Sequence, residues 1–521
     1  MIFTQAIERN AQVNGKRTAT IFGDRRRTWS DVAERIARLA NALQQKGINP
    51  GDRVAILALN SDRYLEYYYA VVWAGAVMVP LNVRWSIKEN QYALEDSGAV
   101  ALFVDDTFLE MGVELTALSN KISYSIYMGE QQTPEGMLSY EALVNEYHAI
   151  EPYLRSDDEM IGIFYTGGTT GFPKGVMLSG NNVWSSAMGV MADFGIYSRQ
   201  SPNVLVAAPM FHGAAGALCW SSVIGSVTLD IVPAFDVKKV IETIEKDKVT
   251  DTLLVPTMIS MLMTDPAFDT SKLSSLKQII YGASPMPEGT LLEAMEKMPN
   301  VEFMQAYGQT ELSPVCSILS PKHHVLEGEN AGKIRSAGRA NFTVTVAIKD
   351  ANGKTLAANE IGEICAKGPN VMMGYWNNPE QTASAIKDGW LYTGDAGYID
   401  EDGFIFLVDR VKDMIISGGE NIFSAEVESA VSLHPAVQEV AVVGIPSAEW
   451  GESVHAIIRL KEGQSCDDSK VIEFCREHIA GYKLPRSIEF REQPFPMTGA
   501  NKIQKNALRE PYWENADRKI N

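Results

Sequence analysis

Apolar and polar positions along this chain fall into blocks of two periods. Residues 53–59 (RVAILAL) are an almost unbroken apolar run of strand length, 64–73 are apolar over a helical length, and 77–81 form a second short apolar run. That order predicts a buried strand, a helix and another buried strand. Residues 237–247 carry apolar side chains at helical spacing, and 252–255 follow as a strand. Two further strands are predicted at 276–281 and 301–305, with a helical stretch between them. Repeated strand–helix–strand order predicts parallel α/β sheets, whose ligands collect in loops beyond the C-terminal strand ends. Those loops are GASP at 282–285 and YGQTE at 307–311.

From residue 342 the pattern shortens to β-like runs broken by turn signals, DANG at 350–353, EIGE at 360–363 and DEDG at 400–403. A small β-rich subdomain is expected there. After residue 409 it changes again, to a helix over 425–433, strands at 437–443 and 454–460, and a helix near 470–477. This is an α+β unit of ordinary domain size. The expected fold class is therefore α/β. A large N-terminal domain over 1–409 holds parallel-type subdomains and the β-rich piece, and a small α+β domain follows over 410–521.

Composition narrows the function classes. The 521 residues are 45% hydrophobic and 21% charged, which suits a large buried core and excludes disordered, collagenous and disulfide-scaffold chains. With 46 basic against 65 acidic residues, the net charge is −19. Nucleic-acid binding is disfavoured, because phosphate backbones need clustered Lys and Arg. Small phosphate ligands remain open, since a few local donors hold them. The five cysteines (Cys219, Cys316, Cys365, Cys466, Cys475) make no CxxC pair, which points to reduced thiols and a cytoplasmic setting. The apolar stretch 64–81 is interrupted by Glu66, Gly75 and Pro80, so no integral membrane segment is expected.

The most informative segment is YTGGTTGFPKG at 165–175, which follows a strand-like run at 161–164. Glycines let backbone N–H groups point into a concavity, threonine hydroxyls add donors, and lysine adds positive charge. These are the parts of a polyphosphate cradle. The spacing is not that of a Walker loop, because Lys174 stands between Pro173 and Gly175.

This string resembles the phosphate-loop signature of the acyl-adenylate-forming superfamily, which includes acyl-CoA synthetases, peptide-synthetase adenylation domains and beetle luciferases. Further family motifs occur in the family's order: YGASP at 281–285, YGQTE at 307–311, GYWNNPEQT at 374–382, GWLYTGDAGYIDEDG at 389–403, DRVKDMIISGGENIFSAEVE at 409–428 and PMTGANKIQK at 496–505. The resemblance runs over nearly the whole chain and lies closest to the acyl-CoA synthetases for fatty and aryl acids. It implies a carboxylic acid–CoA ligase that forms an acyl-AMP and then a thioester, with ATP, Mg²⁺ and CoA as co-substrates and cofactor.

The resemblance also assigns residues. Thr166, Gly167, Gly168, Thr169, Thr170, Gly171 and Lys174 would hold the β- and γ-phosphates. Gly282, Ala283 and Ser284 would line the adenine pocket, with Ala306, Tyr307, Gly308 and Gln309 beside them and Tyr307 stacked on the base. Thr310 would contact phosphate and Glu311 would hold Mg²⁺. Asp395 and Arg410 would take the ribose. His212, in PMFHGAAG at 209–216, would border the carboxylate. Lys502 would neutralise charge growing between carboxylate and α-phosphate. The residue before it is Asn501, where similar sequences carry glycine.

Adenylation wants Lys502 in the site and thioester formation wants room for CoA. Similar enzymes turn the C-terminal domain about a hinge, here matched by Lys412. After the turn Gly418 and Gly419 would line the pantetheine tunnel, and Trp450 and Tyr482 would flank the CoA nucleotide. Competing readings are a luciferase-like oxygenase, an adenylation enzyme that loads a carrier protein, and a nucleotide-binding protein without activity. Small residues at 214–217 leave room for a medium or long chain, or for an aryl group, and Trp220 either closes that pocket or fills core. The substrate reading is a medium- or long-chain fatty acid, with coumarate- or benzoate-like acids as the alternative. Oligomeric state stays open, a homodimer among the options.

Overall fold

The computed structural model describes residues 3–167, 173–284, 286–410, 413–417, 420–447, 449–497 and 503–513, without the side chains of residues 409, 410, 420 and 421. Among these residues the chain forms four sheets.

One sheet runs in the order Arg339–Ala340, Val315–Leu319, Glu302–Gly308, Gln278–Gly282, Asp251–Leu254, Asn203–Val206, Thr228–Ile231, Thr18–Phe22, Arg25–Thr28. Its six middle strands are parallel and its edges antiparallel. A second runs Gly374–Tyr375, Lys174–Ser179, Met160–Thr166, Val77–Pro80, Arg53–Leu57, Ala101–Val104, Tyr124–Tyr127, Leu138–Ser139. It is parallel from Met160–Thr166 onward and antiparallel at its first two pairings. The strand Arg53–Leu57 is apolar on both faces because helices cover both, as parallel sheets require.

The helix between the first two predicted strands is Asp62–Trp73, started by Ser61, whose hydroxyl accepts from the Tyr64 amide. All twelve of its residues are buried, polar ones included. Glu66 is fully buried and accepts from Arg27 Nη1 at 2.6 Å, Arg35 Nε at 2.8 Å and the Tyr140 hydroxyl at 2.6 Å. Arg27 also donates to Asp62 at 2.6 Å, so the charges inside this layer are paired. The helix Val237–Asp247 has the expected bounds; Asp236 caps it through the Lys239 amide, and Val240, Ile241 and Ile244 face the core.

The β-rich piece is an antiparallel sheet of Thr345–Lys349, Gly362–Lys367, Trp390–Ile399 and Ile386–Lys387, with Ile405–Arg410 on Trp390–Ile399. The C-terminal α+β piece centres on the long hairpin Val437–Ser447/Gly451–Leu460, flanked by Ile415–Ser417, Glu420–Ile422 and Ser487–Phe490. Its last helix, Lys505–Trp513, is tied back to it. Lys505 Nζ donates to Ser424 Oγ at 2.6 Å and lies 2.7 Å from Glu428 Oε1. Arg509 Nη2 donates to Glu452 Oε1 at 2.6 Å, while Glu452 Oε2 accepts from the Ile416 amide at 3.1 Å.

All five cysteines are free thiols; four are buried and Cys466 is half-buried. Among the described residues no helix is long and apolar enough to cross a membrane.

Candidate active site

The phosphate-loop string grows out of a hairpin. Met160–Thr166 pairs antiparallel with Lys174–Ser179, so Thr166 stands opposite Lys174 and Tyr165 opposite Gly175. Gly167 is exposed at the end of the first leg, while Gly168, Thr169, Thr170 and Gly171 lie outside the described residues. Asp96 grips the base of both legs. Its carboxylate accepts from the Tyr165 hydroxyl at 2.6 Å, and its backbone carbonyl accepts from Trp376 Nε1 at 2.8 Å. The Trp376 amide in turn donates to Gly175 O at 2.7 Å.

The GASP and YGQTE residues sit at the C-terminal ends of adjacent parallel strands, with Gly282 opposite Ala306. Gly282 has no room for a side chain, since an added Cβ would lie 2.1 Å from the Ala306 carbonyl oxygen. Ala283 then takes a left-handed backbone (φ 65°), which turns the chain sharply off the strand toward Ser284. Gly308 meets the same limit as Gly282, an added Cβ falling 1.9 Å from Pro314 O.

Two long-range bonds pull the later motifs onto these strand ends. The Tyr307 hydroxyl donates to Asp395 Oδ2 at 2.7 Å, and Gln309 Nε2 donates to Thr393 O at 3.2 Å. Burial first, and then the Asp395 charge, hold the Tyr307 phenol well above its ordinary pKa, so it remains a donor at neutral pH. Asp395 is opposite Arg410 in the β-ladder. The second bond set centres on Glu311, just after Thr310 in a short turn, 9% exposed. Its Oε1 accepts from the Tyr375 hydroxyl at 2.9 Å, and the Lys174 ammonium lies 5.4 Å from the centroid of the same tyrosine ring.

His212 caps the helix Gly213–Ile224, its Nδ1 accepting from the Ala214 amide at 3.3 Å. The neutral ring therefore carries its proton on Nε2. The helix start abuts the YGQTE turn: an added Cβ on Gly213 would touch Thr310 Oγ1 at 3.9 Å. Along that helix Ala215, Gly216 and Ala217 are buried, and the Trp220 ring lies over Gly216, where a Cβ would be 2.8 Å from it. Trp220 also meets Phe3, Tyr68 and Phe164 edge-on, so it fills core. The small residues serve this packing, which removes the argument from their size to a roomy acyl pocket.

The structure thus brings together Thr166, Lys174, Gly282, Ala283, Ser284, Ala306, Tyr307, Gly308, Gln309, Thr310, Glu311 and Asp395, with His212 at their edge. Lys412, Gly418, Gly419 and Lys502 lie outside the described residues, as does the side chain of Arg410. Trp450 is in the C-terminal piece, its ring under the Arg486 guanidinium at 4.4 Å, and Tyr482 is exposed nearby in sequence. Two participants escaped the motif reading. Tyr375 lies inside GYWNNPEQT yet received no role, and Asp96 carries no motif at all.

Comparison with known proteins agrees with this geometry. The AMP-binding enzyme family matches residues 7–376, and the AMP-binding enzyme C-terminal domain matches 426–502. A feruloyl-CoA synthase from an Amycolatopsis species is 37% identical over 505 residues, covering 97% of this chain and 98% of that protein. The medium/long-chain-fatty-acid–CoA ligase FadD8 of Mycobacterium tuberculosis is 34% identical, over 96% of this chain and 88% of that one. The o-succinylbenzoate CoA synthetase MenE of Bacillus subtilis, solved with its acyl-adenylate intermediate OSB-AMP, aligns with a TM-score of 0.83 at 30% identity over 99% of both chains. The large α/β piece, the smaller C-terminal piece and the ordered motifs therefore have one explanation: this chain belongs to the AMP-binding enzyme family, in the acyl-CoA synthetase branch of the adenylate-forming superfamily.

Proposed function

We propose that this AMP-forming acid–CoA ligase activates a bulky apolar carboxylic acid, and that the converging residues divide the work as follows. The acid's carboxylate oxygen attacks the α-phosphorus of ATP and pyrophosphate leaves; the CoA thiolate then attacks the acyl carbon and AMP leaves. Thr166 and Lys174 bind the β- and γ-phosphates, Gly282 to Ser284 and Tyr307 bind the adenine, and Asp395 accepts from the ribose hydroxyls. His212 borders the carboxylate in a positioning role, since an acid ionised at neutral pH needs no general base. The observation that carries this reading is the pair of long-range bonds, Tyr307 to Asp395 and Tyr375 to Glu311, which gather separate motifs around one strand end.

Glu311 suits a magnesium site. It is a single carboxylate steadied by one phenol, beside a lysine on the same ring, and magnesium takes few carboxylates together with phosphate oxygens. Bound there, the ion would screen phosphate charge during the transfer. Lys502 would meet the charge growing at the carboxylate–phosphate junction, and a domain division near 409/410, with Lys412 as hinge, would withdraw it for the CoA step. Gly418, Gly419, Trp450 and Tyr482 belong to that second step in this scheme.

For the acid, an aryl or hydroxycinnamate-like substrate is supported by the likeness to feruloyl-CoA synthase. A medium- or long-chain fatty acid is the second reading, supported by the likeness to FadD8. The test is pyrophosphate release with ATP and Mg²⁺, with and without CoA, across acids from acetate to palmitate plus cinnamate and benzoate types. Release confined to aryl acids supports the first reading and release peaking at fatty acids the second. Silence across the panel rejects both. Lys502→Ala should abolish acyl-AMP formation and spare CoA acylation from supplied acyl-AMP; equal loss of both steps counts against the division of labour.

A further inference from the structure

Tyr375 touches both charged groups of the phosphate end. Its hydroxyl donates to Glu311 Oε1 at 2.9 Å, and its ring faces the Lys174 ammonium at 5.4 Å. The residue is itself held from several directions. The strand Gly374–Tyr375 pairs with Lys174–Ser179, placing Tyr375 opposite Val176. Its amide donates to Thr382 Oγ1 at 2.9 Å, and the neighbouring Trp376 is fixed to Gly175 O at 2.7 Å and Asp96 O at 2.8 Å. The backbone around Glu311 joins the same strap, since the Met372 amide donates to Glu311 O at 2.9 Å.

A carboxylate that binds a cation through one oxygen rotates unless the other is engaged, and the partner that engages it governs affinity. We propose that Tyr375 is a positioning residue: its hydroxyl fixes the Glu311 carboxylate for the divalent cation, while its ring sets Lys174 for the polyphosphate. This rests on the reading of Glu311 and Lys174 given above. The two functions are separable, because one belongs to the hydroxyl and the other to the ring.

Tyr375→Phe keeps the ring and removes the hydroxyl; Tyr375→Leu removes both. The measurement is Mn²⁺ binding, by electron paramagnetic resonance of free Mn²⁺, to full-length enzyme saturated with α,β-methylene-ATP, alongside calorimetric affinity for that analogue at saturating Mn²⁺. The Phe variant should bind Mn²⁺ about tenfold more weakly or worse, while its analogue affinity stays within about twofold of wild type. The Leu variant should lose affinity for both. In turnover, the Mg²⁺ needed for half-maximal pyrophosphate release should rise in the Phe variant, with CoA acylation from supplied acyl-AMP unchanged. Glu311→Gln is the control. If it weakens Mn²⁺ binding while Tyr375→Phe does not, the positioning role is overturned and Glu311 stands. If Glu311→Gln itself binds Mn²⁺ like wild type, the metal reading of Glu311 falls and this inference falls with it. Melting curves of the three variants establish that each is folded, and Tyr375→His, which keeps a donor, should recover part of the Mn²⁺ affinity lost in the Phe variant.

Discussion

Tyr307 donates its hydroxyl proton to Asp395 across 88 residues of sequence, at 2.7 Å. The bond links the end of a parallel strand in the large sheet to a strand of the β-rich piece. Asp395 is 8% exposed, and the Tyr307 phenol is one of the groups that hold its carboxylate. Tyr307→Phe should therefore weaken ATP binding roughly tenfold, the scale of one hydrogen bond to a charged group. Asp395→Ala should weaken it further. Because the two act through one contact, the double variant should lose less than the sum of the single losses. Calorimetric ATP affinities of the four proteins check this, and strict additivity would sink it.

Gly282 is a steric requirement, not a flexible point. An Ala side chain there would meet a backbone oxygen, which cannot turn aside, so the two strand ends must separate at the proposed adenine site. Gly282→Ala should lower the melting temperature and weaken ATP binding by at least about tenfold. Gly195→Ala, with nothing within 4 Å of the added carbon, should change neither.

Asp230 makes stability depend on pH. It is 2% exposed, and burial first, then the Asp247 charge, push its carboxyl up to about 7. An unfolded aspartate titrates near 3.9, so the folded state prefers the protonated form. The stability this preference contributes is complete below about pH 4 and is lost as pH rises to about 7. Asp230→Asn should melt higher than wild type at pH 8, with the gap closing toward pH 4. Parallel melting curves across that range would refute the claim.

Glu66 bears on folding rather than catalysis. Replacing it by Gln takes one charged partner from Arg27 and Arg35, which keep Asp62 and Glu141, a loss of about 1.5–3 kcal/mol for hydrogen bonds to a charged group. Glu66→Gln should unfold at distinctly lower denaturant while its ATP affinity, measured below the transition, stays that of wild type.

What the sequence revealed depended on the range of the interaction. The helix Val237–Asp247 was legible to its ends because its apolar stripe and its Asp236 cap are both local. The strand Gln278–Gly282 begins two residues later than its apolar run suggests, since Leu276 is buried before the ladder starts. The motif strings marked Thr166, Tyr307, Glu311 and Asp395, but not that Tyr307 meets Asp395 or that Tyr375 meets Glu311. Those contacts come from sheet order, which no local pattern encodes. Asp96 was invisible for the same reason, and Glu66, read as a break in an apolar run, proved to be buried with two arginines.

Glu452 receives the Ile416 amide on one oxygen and Arg509 on the other. The strand just past residue 412 and the helix just past Lys502 are thus bolted to the same carboxylate. For the turn proposed here, the strand that follows the hinge and the helix that follows the lysine move as one body. On that proposal Lys502 would move with the body that holds the helix after it. Its departure and the arrival of the opposite face become one stroke, so the enzyme would hold either the adenylating group or the thiol passage in place, and never both.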